Sequence, residues 1–164
     1  MRFLGLLMLV AAALPMPAQN ADLKQLDFLV GKWTGVAEDK AGQLGAGSGA
    51  CSFELDLNNK IIVRHSAASY DSGVTHGDLM LIYVEGGTRA IYFDTEGHVI
   101  RYNVAVPSAN HVAFESDGTQ AGPKYRLSYW LDGAFLKVKF EIAMPGGEYK
   151  TYTGGTLKRD GAPR

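Results

Sequence analysis

Residues 135–142 read Phe-Leu-Lys-Val-Lys-Phe-Glu-Ile. Leu136, Val138, Phe140 and Ile142 fall on one side, and Lys137, Lys139 and Glu141 on the other. An apolar face with a period of two marks an antiparallel strand half buried against a core. Asp132-Gly133, just before it, is a signal for a two-residue hairpin of the primed-turn type. Pro145-Gly146-Gly147, just after it, forces another reversal.

The same unit recurs in both directions from this stretch. Strands are expected at 50–57, 61–70, 76–85, 89–94, 98–105, 111–116, 124–131, 134–142 and 148–158, after a first strand carrying Trp33, Gly35 and Ala37 on one face. Turn chemistry separates them: Asn58-Asn59-Lys60, Asp71-Ser72-Gly73, Glu85-Gly86-Gly87 and Asp94-Thr95-Glu96-Gly97. Residues 38–49 form a Gly-rich loop. Links this short join antiparallel neighbours, because parallel ones need long crossovers. About ten strands in a meander predict an all-β barrel or sandwich. Closure is favoured because open edges invite aggregation. Ten strands of eight to ten residues enclose more space than side chains readily fill.

One helix precedes the strands. In residues 21–30, Leu23, Leu26, Leu29 and Val30 share helical spacing, and Gly31 stops the run. A short amphipathic helix of this kind closes one end of a barrel.

The chain begins with Arg2, then the uncharged apolar run Phe3–Leu14, then Pro15, Pro17 and the small residue Ala18. That order predicts a secretory signal peptide over residues 1–18, with Ala21 as the other cleavage candidate. The run is too short for a bilayer span, which takes about 20 residues. Residues 19–164 then form one exported domain, periplasmic or extracellular, with no span of its own. Cleavage after Ala18 leaves 146 of 164 residues and, with Arg2 gone, 15 basic against 17 acidic side chains, a net charge of −2. No basic block points to nucleic acid. The single cysteine, Cys51, forms no internal disulfide and alternates with Phe53, Leu55 and Leu57, as a buried apolar thiol does.

Leu26-Asp27-Phe28-Leu29-Val30-Gly31-Lys32-Trp33-Thr34-Gly35 resembles the short helix and Gly-x-Trp-x-Gly that open calycin-type barrels, among them lipocalins, fatty-acid-binding proteins and nitrobindin-like haem barrels. The resemblance implies a lipocalin-like barrel with Trp33 plugging its closed end. Residues 22–159, with Tyr92-Phe93-Asp94-Thr95-Glu96-Gly97-His98-Val99-Ile100-Arg101-Tyr102, are similar in order and length to small exported bacterial barrels of this kind. Nitrobindin-like proteins use a histidine near the C-terminus. Here the last histidine is His111 and the final strand holds Gly154-Gly155, so the resemblance stops short of haem and no cofactor is expected.

Candidate ligand-binding residues come from polar positions inside strands. Arg64, Arg101 and Arg126 stand mid-strand, with Trp130 further along the face of Arg126. A buried arginine needs a partner, and a ligand carboxylate matches it with two parallel bonds. Fatty-acid-binding barrels use interior arginine and tyrosine in this way. The alternatives are exposure to solvent or pairing with Glu54, Asp56 or Glu115. His65 shares a face with Ile61, Val63 and Ala67, which makes it an interior candidate. Tyr102 stands for the strand tyrosines whose hydroxyls would orient a ligand. No histidine pair shows metal-ligand spacing, so no metal is expected; His65 and His98 are the best single choices for one. Asp94, Glu96 and His98 surround one turn, where Asp94 caps backbone N–H groups and Gly97 supplies positive φ. Ser66 and Ser69 lie near His65, but no Gly-x-Ser-x-Gly elbow accompanies them and no catalytic set is assigned. The expectation is a binding module for a small, largely apolar or lipid-like molecule, with an acidic end as an option. An enzyme using the same cavity and an envelope scaffold are the alternatives.

Overall fold

The computed structural model describes residues 22–37 and 42–161, so the expected signal peptide lies outside the described residues. Ten strands follow a 3-10 helix at Leu23–Leu29: β1 (Gly31–Ala37), β2 (Gly47–Asp56), β3 (Ile61–Tyr70), β4 (Thr75–Val84), β5 (Thr88–Asp94), β6 (Val99–Ser108), β7 (His111–Ser116), β8 (Lys124–Asp132), β9 (Phe135–Ala143) and β10 (Lys150–Arg159). Each pairs antiparallel with its sequence neighbours, and β1 pairs with β10 to close the barrel. The expected all-β, ten-strand up-and-down barrel is the observed fold. The largest shifts of a boundary are in β2, which starts at Gly47 inside the expected loop, and in β6, which runs on to Ser108.

Local chemistry accounts for the turns. Leu57, Asn58 and Asn59 take φ of 48°, 55° and 64°, the left-handed region where asparagine is several-fold enriched. Gly133 takes φ 61° while Asp132 pairs with Phe135, leaving a two-residue hairpin loop.

The helix is 3-10 in type and seals one end. Leu26 and Leu29 are fully buried, and Asp22 accepts from the Gln25 N–H at its start. Trp33 is buried beside them and donates its Nε1–H to the Leu29 carbonyl at 2.7 Å. The Arg159 guanidinium lies 4.2 Å from the Trp33 ring and donates to the Phe28 and Val30 carbonyls. One arginine on the last strand thus ties the helix to the first strand.

The closed half is filled. Phe53, Ile62, Met80, Ile82, Phe114 and Leu136 have no exposure. Phe53 and Phe114 each meet Tyr129 edge to face at 5.4 and 6.4 Å, and Tyr102 meets Phe114 at 6.2 Å. Toward the other end the filling stops.

Candidate functional site

The open half contains a cavity of about 440 Å3. Its walls come from the C-terminal ends of β1, β3, β5 and β9 and the N-terminal ends of β2, β4, β8 and β10. Apolar side chains dominate the wall on one side, with Val138, Phe140 and Ile142 of β9 and Leu127 of β8. The side toward β2 and β3 is lined by small inward residues, including Gly49, Ser66 and Ala68. Short side chains there leave the volume that longer ones fill in the closed half.

Between the packed half and the cavity lies a polar layer. Arg64 of β3 is 5% exposed and ion-pairs with Asp78 of β4, which faces it from two residues before its register partner Met80. The Arg64 guanidinium lies 5.7 Å from the Tyr129 ring centroid and 6.0 Å from that of Phe53. Burial works against its charge, but Tyr129 and Asp78 outweigh burial and its pKa is raised. Arginine is therefore charged throughout. Its Nε is buried without a hydrogen-bond partner.

His76 extends the layer toward the mouth. Its Nε2 lies 2.8 Å from the Tyr92 hydroxyl and 3.4 Å from Asp78 Oδ2. Its Nδ1 lies 2.9 Å from Glu96 Oε2. The bond to Asp78, helped by Glu96 and opposed by burial, raises the His76 pKa above that of a free imidazole. Asp94 accepts the backbone N–H groups of Glu96 and His98 at 3.1 and 2.8 Å, and its Oδ2 holds His98 Nδ1 at 2.8 Å. Burial pushes the Asp94 carboxyl up, but the two bonds from His98 prevail and hold it below its ordinary value. Gly97, at φ 88°, completes the turn, which has the capping chemistry expected of it. His76, Asp94 and Glu96 place one potential ligand atom each within 4.8 Å of one another.

The structure distributes the sequence-derived residues unevenly. Arg64 points inward and lines the cavity. Tyr102 also points inward, but it lies in the packed half with its hydroxyl buried and unpaired. His65 is exposed, which corrects the interior reading: the inward face of β3 carries Ile62, Arg64, Ser66 and Ala68. Arg101 is exposed on the outside of β6. Arg126 lies on the outer face of β8, donates Nε–H to Glu141 at 2.7 Å and stacks 4.1 Å from the Tyr149 ring. Glu115 is 3.7 Å from Arg126, so one of the three acidic partners read from the sequence is in place. Trp130, on the same outer face, meets His111 edge to face at 6.0 Å. Cys51 is buried, as its alternation implied, and burial pushes its thiol pKa up. Sequence reasoning missed Asp78 and His76; their signal was alternation with Met80 and Ile82 on one face of β4.

No protein-family model matches the chain, and no curated protein matches it. Among solved structures it is similar to Rv2717c from M. tuberculosis, with a TM-score of 0.60 and 14% identity, over 84% of this chain and 96% of that one. At that identity the likeness establishes the shared barrel fold and nothing finer.

Proposed function

We propose that this protein is an exported, lipocalin-like binding module of the calycin type that holds a small, largely apolar molecule in the open half of its barrel. The observation that carries the reading is the cavity of about 440 Å3, whose volume falls in the range of roughly 300–1,000 Å3 typical of small-molecule sites. Apolar walls and a few convergent polar groups at the floor are the usual composition of such a site. The ligand's apolar body lies along β8 and β9, and its polar end faces Arg64, His76 and Tyr92. Arg64 favours an acidic end and Asp78 beside it favours a neutral one. Export rests on the Arg2, Phe3–Leu14, Ala18 order at the N-terminus. Its destination is the periplasm or the extracellular space.

Titration with the neutral dye N-phenyl-1-naphthylamine tests the proposal. One dye binds per barrel, a long-chain carboxylic acid and its matched alcohol compete, and Ala68→Phe abolishes binding by filling the cavity. Native mass spectrometry of protein taken from its own envelope shows a bound species. Dye binding that Ala68→Phe leaves unchanged would place the dye elsewhere and defeat the reading. A second reading, an enzyme acting on the same molecule, draws on the hydrogen-bonded His76, Asp78 and Tyr92 at the floor. It requires that the molecule recovered after incubation differ from the one added.

A further inference from the structure

We infer that the mouth of the barrel is a binding site for a divalent transition-metal ion, held by His76 Nδ1, a Glu96 carboxylate oxygen and an Asp94 carboxylate oxygen. These residues come from three successive pieces of the chain: β4, the end of β5, and the turn into β6. One donor atom from each residue already lies within 4.8 Å of those of the other two, and His76 Nδ1 faces Glu96. Zinc bonds to imidazole nitrogen and carboxylate oxygen run about 2.0–2.2 Å. Small side-chain rotations therefore bring all three donors onto one ion, and the 2.9 Å from His76 Nδ1 to Glu96 Oε2 needs only modest opening.

The surroundings are what separate this trio from a chance surface cluster. A metal-binding histidine is ordinarily fixed by a bond from its other ring nitrogen to a carboxylate or similar acceptor. The Nε2 of His76 has two such neighbours, the Tyr92 hydroxyl at 2.8 Å and Asp78 Oδ2 at 3.4 Å. That leaves Nδ1 directed at Glu96. The Asp94 carboxylate is likewise set in place, by two backbone N–H groups and His98 Nδ1, and its side chain is only 5% exposed. Two of the three ligands are thus oriented before an ion arrives, and Glu96, 41% exposed at its side chain, is the one free to close over it. All three residues line the cavity. The remaining coordination positions face that space, the open arrangement of sites that also take water or a substrate atom.

The donor set selects the class of ion. An imidazole with two carboxylates suits Zn2+, Mn2+ or Fe2+, whereas Ca2+ and Mg2+ prefer all-oxygen sites. The inference does not rest on the apolar-ligand reading, and its test uses the metal alone. Isothermal titration of the metal-free mature protein with Zn2+ gives one ion per chain. His76→Ala and Glu96→Gln each weaken it by more than about tenfold, and Tyr92→Phe, which removes a support of His76, weakens it by about 10–100-fold. His65→Ala, on the outer face, leaves it unchanged, and excess Ca2+ or Mg2+ does not compete. Co2+ in place of Zn2+ gives visible absorption that His76→Ala removes. Glu96 is half exposed, so Glu96→Gln folds even where the His76 variant does not. Absent stoichiometric Zn2+ binding, binding that survives Glu96→Gln, or displacement of the ion by Ca2+ would each overturn the inference.

Discussion

The two halves of this barrel are built from the same ten strands and put them to opposite uses. At the helix end, Phe53 and Phe114 meet Tyr129 in the middle, Trp33 lies against the helix, and none is more than 1% exposed. At the other end, β2 and β3 present glycine and alanine inward, so β8 and β9 face empty space across the barrel. The wall is continuous from end to end, so the difference lies in side-chain volume and not in strand pairing. Hydrogen bonding closes the wall, and residue size decides where the wall encloses a core and where it encloses a cavity.

The sharpest way to break that comparison is at its boundary. Arg64→Met leaves the buried Asp78 with only His76 beside it, and unfolding in urea should show a loss of about 3 kcal/mol. Adding Asp78→Leu should recover most of it, because well-packed apolar replacements of a buried pair are often neutral. A double variant no more stable than Arg64→Met would mean that the polar layer contributes through groups other than the pair.

The halves themselves should differ by less. Phe114→Ala, in the packed half, is expected to cost about 3–5 kcal/mol through the cavity it opens. Ile142→Ala, whose side chain already borders space, should cost under about 2 kcal/mol, since fewer packing contacts are lost. Equal losses in parallel denaturant melts would show that the open half is as tightly packed in solution as the closed one.

The smallest expected effect lies on the outer wall shared by both halves. Burial raises the Glu141 carboxyl, but bonds from Arg126 and Lys139 outweigh it and hold its pKa below the ordinary value. A depressed folded pKa stabilises the protein above the unfolded carboxyl's range. That contribution is lost as pH falls through the folded value. Glu141 is 5% exposed but its partners Arg126 and Lys139 reach solvent, and glutamine can still accept from Arg126, so Glu141→Gln should cost about 1 kcal/mol at neutral pH. The gap to wild type should close as the solution is acidified. A gap in urea midpoint that does not narrow as the pH falls would assign the role of Glu141 to packing.

Much of the fold was legible because turns and period agree. In β9 the apolar and charged residues separate cleanly, and its inward face is the one expected. The site was harder to read because several strands are apolar on both faces. β3 opens with Ile61-Ile62-Val63, which does not say whether Arg64 or His65 points inward, and the two cannot both do so. A slip of one residue turns every side chain to the opposite face. The register with β4 settles it: Arg64 stands opposite Met80, on the face of Asp78 and Ile82. β6 posed the same choice between Arg101 and Tyr102, and β8 between Arg126 and Tyr129. In both strands the aromatic went in and the arginine out, with its charge in water or against an acid on the outer face. The meeting of His76 with Glu96 was out of reach for a different reason. They lie 20 residues apart along the chain, and only the hairpin of β4 with β5 brings them together.

The pairing of β1 with β10 makes the first strand wait for the last. Until Arg159 has emerged from the ribosome, β1 has one open edge and Trp33 lacks its stacking partner. No shorter N-terminal stretch can complete the wall, so truncation before residue 150 should yield a sticky, edge-exposed chain and not a smaller barrel. The molecule thus has no inside until its tenth strand is made.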